Sequence, residues 1–113
     1  MSKSNFELYH KNMIKPNKHR INLLRLSNPF TVDIIFSPPR IICDYIQLER
    51  LILDNIDAKY LNNILKHSIL LLKLHSLVVT PADYVQDPSI LFIYIFRLPN
   101  LKSCKFTYRT KDD

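Results

Sequence analysis

The sequence predicts an α/β fold: a solenoid of about four helix–strand units with a parallel sheet on its concave side. Three observations predict it. Four short segments recur, each reading apolar-x-x-apolar-x-apolar: Ile21-x-x-Leu24-x-Leu26, Leu48-x-x-Leu51-x-Leu53, Leu74-x-x-Leu77-x-Val79 and Leu101-x-x-Cys104-x-Phe106. Their central residues, Leu24, Leu51, Leu77 and Cys104, are spaced 27, 26 and 27 apart. Between them lie apolar residues at helical spacing, and turn formers follow three of the segments.

One such match in a leucine-rich chain means little. Four at even intervals mark one supersecondary unit repeated, and the interval falls in the range of roughly 20–29 residues that leucine-rich repeats occupy. Side-chain alternation gives the pattern its physical meaning. Leu24 with Leu26, Leu51 with Leu53, and Leu77 with Val79 point to one face, which no single unit can bury alone. Stacking the four strands side by side makes a shared apolar face. A doubly wound sheet, the rival, would bury its strands on both faces and read as continuous apolar runs. Arg25, Arg50, Asp54 and Lys105 on the outward side argue for one wet face instead.

The elements follow in order. Ser4-x-x-Glu7 fits a capping box that opens an N-terminal helix, with Phe6, Tyr9 and Met13 as its buried stripe and Pro16 closing it. The stretch Pro29 to Arg40 reads as an extended loop. Ile41 to Ile46 reads as a helix entered from Pro38-Pro39. Ala58 to Leu65 is helical, with Leu61, Ile64 and Leu65 on one face. Tyr84 to Phe96 is helical as well, its face carried by Tyr84, Leu91 and Ile95. Turns are made without glycine, at Asn28-Pro29, Asp54-Asn55 and Thr80-Pro81. The whole chain, 1–113, forms one domain: a basic lead-in over 1–20, repeats over 21–108 and a tail over 109–113.

Composition narrows the function. With 113 residues, 47% apolar and 23% charged, the chain matches an ordinary folded domain. It holds no glycine. Phosphate-cradling loops of the Walker or dinucleotide type, which need glycine for close backbone approach, cannot be built. Cys43 and Cys104 show no metal-ligand or disulfide-framework spacing, which fits an intracellular protein, cytoplasmic or nuclear. The four histidines do not cluster with carboxylates, and His67 and His75 fall on different elements. No catalytic triad, carboxylate pair or activated thiol stands out. The expectation is a chain that is not an enzyme, takes no cofactor or metal, and does not enter the membrane, since the apolar run Ile64 to Val79 is broken by four Lys and His residues. The net charge of +6 invites nucleic acid. Its cations are spread out, however, so nucleic acid stands only as the alternative, beside a truncated repeat fragment with no independent function. Cys104 and Cys43 are expected to pack, at an inward strand position and on a helix.

The best candidate site is the outward strand row. Arg25, Ile52, Val78 and Lys105 should lie in line, flanked by Arg50, Ser76 and Ser103 on one side and Asp54, Thr80 and Thr107 on the other. Of these, Arg25, Arg50, Ile52, Asp54, Val78, Thr80, Lys105 and Thr107 are the expected contacts of a protein partner, since repeat proteins bind through extended concave surfaces. Ile52 and Val78 are apolar where alternation calls for solvent, and cations flank them.

The runs LRLSNPFTVDIIFSPPR, LERLILDNIDAKYLNNILKH and IFRLPNLKSCKF resemble the repeat region of divergent F-box/leucine-rich-repeat proteins, over roughly residues 5–108. The resemblance implies repeats that capture the substrate of a ubiquitin ligase, joined to an F-box that docks on the Skp1 adaptor of a cullin. The segment before Ile21 is too short for that three-helix F-box, so contact with Skp1 and cullin is expected only if an F-box lies elsewhere. The asparagine that usually ends the repeat strand is replaced by Pro29, Ile56, Ala82 and Arg109.

Overall fold

The computed structural model describes residues 2–37, 39–82 and 88–107. All four repeated segments form strands: β1 Leu23–Leu26, β2 Arg50–Ile56, β3 Ser76–Pro81 and β4 Ser103–Phe106. They lie in one parallel sheet in the order β1-β2-β3-β4. The register brings Leu24, Leu51, Leu77 and Cys104 into one line. A doubly wound sheet would reverse its strand order part-way. This one never does.

Backbone hydrogen bonds repeat with the sequence. The Asn22 carbonyl accepts from the N–H groups of Glu49 and Arg50, at 2.9 and 3.0 Å. Glu49 accepts in the same way from His75 and Ser76, and His75 from Lys102 and Ser103. Side chains follow the same step. Lys18 Nζ meets Asp44 Oδ2 at 3.0 Å, the Tyr60 hydroxyl donates to Asp33 at 3.2 Å, and Lys73 Nζ donates to Gln47 Oε1 at 2.7 Å. Asn100 Nδ2 donates to the Leu72 carbonyl at 2.5 Å. Each of these four contacts spans 26 to 28 residues, so each ties one unit to the next.

One sheet face is dry. Leu24, Leu26, Leu51, Leu53, Leu77 and Val79 are buried there. The cover comes from helices α2 Pro29–Ile35, α3 Ala58–His67 and α4 Ser89–Phe96, which contribute Val32 and Ile35, Leu61 with Ile64 and Leu65, and Leu91 with Ile95. In α3 those three residues sit at i, i+3 and i+4, so a single stripe is apolar while Lys59, Asn63 and Lys66 face out. Ser68 ends this helix fully buried, its hydroxyl donating to the Ile64 carbonyl at 2.7 Å.

Several expectations are corrected. The N-terminal helix, α1 Lys3–Tyr9, is capped by Ser2, not opened by Ser4: the Ser2 hydroxyl accepts from the Asn5 N–H at 3.2 Å. A π-helical turn, His10–Ile14, and a 3₁₀ turn, Lys15–Asn17, continue it, so Pro16 sits within the segment. The extra residue of the π turn shifts the buried face. It runs through Phe6, His10 and Ile14, while Tyr9 and Met13 are exposed. The stretch expected as a loop contains α2, with Val32, Ile35 and Phe36 buried at helical spacing. Asn28-Pro29 is a helix start, Asn28 standing as an extended N-cap and proline opening the first turn, where its missing N–H costs nothing. Pro39–Asp44 is a 3₁₀ turn, and Ile46 beyond it is exposed, so no helix spans 41–46. Cys43 in that turn is half-buried.

Asp54-Asn55 does not end its strand but lies inside β2, and the β2–β3 register slips by one residue at Asn55, whereas Thr80-Pro81 are the last two residues of β3. Asn55 takes φ 59°, a left-handed bulge that asparagine tolerates better than most residues. Cys104 shares the register of the buried leucines yet is exposed, because β4 is paired only to β3 among the described residues. Tyr84, at the expected start of the fourth helix, lies outside the described residues, as does Arg109.

Candidate functional site

The face opposite the helices carries the expected row. Arg25, Ile52, Val78 and Lys105 are paired one to the next across all four strands. At about 4.8 Å between strands the line spans roughly 14 Å, the width of a short extended peptide segment. Ile52 and Val78 in the middle are half-exposed, and Arg25 and Lys105 at the ends are exposed. Arg50, Ser76 and Ser103 form the parallel row on one side, and Asp54 with Thr80 the row on the other. Thr107 lies just past β4, its N–H donating to the Val79 carbonyl at 3.0 Å.

One ion pair lies on the face, and a histidine–carboxylate contact lies just ahead of β2 and β3. Arg25 Nη2 lies 3.6 Å from Asp54 Oδ2, and His75 Nε2 lies 3.7 Å from Glu49 Oε1. Both pairs are well exposed, so each contributes at most about 1 kcal/mol and leaves its members available to a partner. Asp54 answers one of the three cations Arg25, Arg50 and Lys105, and the surplus is positive. Alternation also identifies a residue that the repeat pattern passes over. Leu23 has the parity of Arg25, pairs with Arg50 and is 49% exposed, which places a third apolar side chain on this face. A cavity of about 290 Å³ opens beside it, lined by Phe6, Tyr9, Ile21, Leu23 and Arg25.

Among the described residues no group of three or more His, Cys, Asp or Glu side chains could hold a metal ion. No helix among them is long and apolar enough to cross a membrane. Partial burial pushes the Cys104 thiol above its ordinary value, away from the thiolate that reactive cysteines need. No protein-family model matches the chain, and no curated protein or solved structure matches it either.

Proposed function

We propose that the chain is a protein-interaction module of the leucine-rich-repeat type, which grips an extended segment of its partner across the outward strand row. The single observation that carries this reading is the alignment of Arg25, Ile52, Val78 and Lys105, two half-exposed apolar residues between two cations in one unbroken register. A hydrophobic centre with a charged rim is the ordinary anatomy of a binding patch. The positive surplus favours an acidic partner with apolar anchors. Sequential strand order and the repeated carbonyl contacts support the repeat assignment. The resemblance to F-box/leucine-rich-repeat proteins adds a biological setting, in which the captured partner is the substrate of a ubiquitin ligase and contact with Skp1 and cullin follows only if an F-box lies elsewhere.

The test is selection of random peptides displayed on phage against the purified chain. Enriched peptides should place Asp or Glu beside apolar residues. The double variant Ile52→Asp/Val78→Asp should keep the parent circular dichroism and lose these peptides, while Arg25→Glu/Lys105→Glu should reverse their charge preference. Peptides that bind the Ile52→Asp/Val78→Asp variant as well as the parent would sink the assignment.

A further inference from the structure

The sheet ends at β1 in a cleft. Four consecutive residues, Leu23, Leu24, Arg25 and Leu26, line a cavity of about 290 Å³ together with Phe6 and Tyr9 of α1. Leu24 and Leu26 belong to the dry face, Leu23 and Arg25 to the outward face. A cavity that touches all four therefore runs along the edge of the strand, and β2 occupies the other edge. We propose that this cleft takes an extended, acidic segment of a partner protein as a further strand beside β1.

The backbone calls for a strand. Along a parallel strand, alternate residues direct their N–H and C=O groups to opposite sides. The Asn22 carbonyl accepts from Glu49 and Arg50, so Leu24 and Leu26 share its side and face β2. Leu23 and Arg25 turn their groups the other way, toward the cleft. Among the described residues those groups have no hydrogen-bond partner. Such a row is a template for another chain, and natural edges are often blunted by lysine, proline or a bulge. β1 reads LLRL in regular register and holds none of these. Its charged side chain, Arg25, reaches inward to Asp54 of β2 at 3.6 Å.

Charge and alternation select the segment. An added strand alternates its side chains as β1 does. Those level with Leu24 enter the apolar side of the cleft, and those level with Arg25 join the outward face. Residues 1–26 hold six Lys and Arg against one carboxylate, Glu7. Asp or Glu beside Arg25, with apolar residues at the positions between, answers both demands. A second copy of this chain is the poorer occupant. Joined through two β1 edges, it would bring two cationic ends together; joined head to tail in register, it would set Lys105 beside Arg25. Like charges directly opposite destabilise a strand pair.

The experiment titrates the full chain with an acetylated and amidated octapeptide that alternates valine and glutamate, read by amide NMR and hydrogen exchange. The Leu23 and Arg25 amides should shift. With peptide at about ten times its dissociation constant, their exchange should slow about tenfold. A block peptide of four valines then four glutamates should bind more weakly, and valine alternating with lysine should not bind. Leu23→Pro removes one outward N–H while sparing the β1–β2 ladder, and should weaken binding about tenfold. Tyr9→Asp, at an exposed residue of the cleft wall, should weaken it too and keeps the test open if the proline variant does not fold. Ile52→Asp/Val78→Asp should bind with the parent affinity, which separates this cleft from the strand row. The proposal is overturned if the Leu23 and Arg25 amides do not respond, or if the block or lysine peptide binds as tightly. It is equally overturned if binding is lost in Ile52→Asp/Val78→Asp and kept in Tyr9→Asp. Sedimentation without peptide should give a monomer; a dimer that protects the same two amides would assign the edge to a second copy instead.

Discussion

Four residues occupy equivalent places in this molecule, and their surroundings differ. Leu24, Leu51, Leu77 and Cys104 form one line across the sheet, but Leu51 and Leu77 are fully enclosed, Leu24 nearly so, and Cys104 is exposed. Position in the repeat sets which way a side chain points; the number of flanking strands sets how dry it becomes. Leu51→Ala removes a side chain with neighbours on both sides and should cost about 2–5 kcal/mol in urea unfolding. Cys104→Ala, at the same place in the pattern, should change stability by no more than about 0.5 kcal/mol. Equal losses at the two positions would show that β4 is as well covered as β2. The alternation that oriented these residues also orients the outward row, which is why Arg25, Ile52, Val78 and Lys105 were legible from spacing alone. Tyr45 was not. Nothing in its local pattern says that this tyrosine is enclosed, its ring set edge-on to Phe36 of an earlier element.

At the scale of elements, the strands were legible and the short helices less so. A strand in this sheet is fixed by four repetitions of one pattern, whereas α2 is stated once, in seven residues. Its opening Asn28-Pro29 suits a turn and a helix N-terminus equally, and only the burial of Val32, Ile35 and Phe36 decides between them. The N-terminal segment shows the complementary failure. Stepping by three from Phe6 reaches Tyr9, but the π turn makes the true step four, through His10 to Ile14. That one-residue change places His10 on the half-buried face, in line with Phe6 and Ile14. Asn55 suits a turn and a bulge alike, so its residue type does not distinguish the two. Its left-handed backbone gives a direct check: Asn55→Val should destabilise by about 1–2 kcal/mol, while Asn55→Gly should cost little or nothing in the same thermal unfolding experiment. Equal effects of the two would mean that β2 runs straight past Asp54.

For the whole molecule, order along the sheet equals order along the chain, so each strand pairs only with the strands of neighbouring units. Stability should therefore be graded. Amides of β2 and β3, paired on both sides over a dry floor, should exchange with deuterium only by opening of the whole sheet. Those of β4, backed by a partly exposed Phe106, should exchange by local fraying and much faster. Uniform protection across the four strands would contradict this gradient. The three carbonyls that each accept a pair of N–H groups carry a mechanical corollary. Because Asn22, Glu49 and His75 tie each strand to the next one and to nothing further along, a load drawn across the sheet meets one row of bonds at a time. Resistance to stretching is then that of a single seam. Further units would lengthen the extension before rupture, but they would not raise the force at which the first seam gives way.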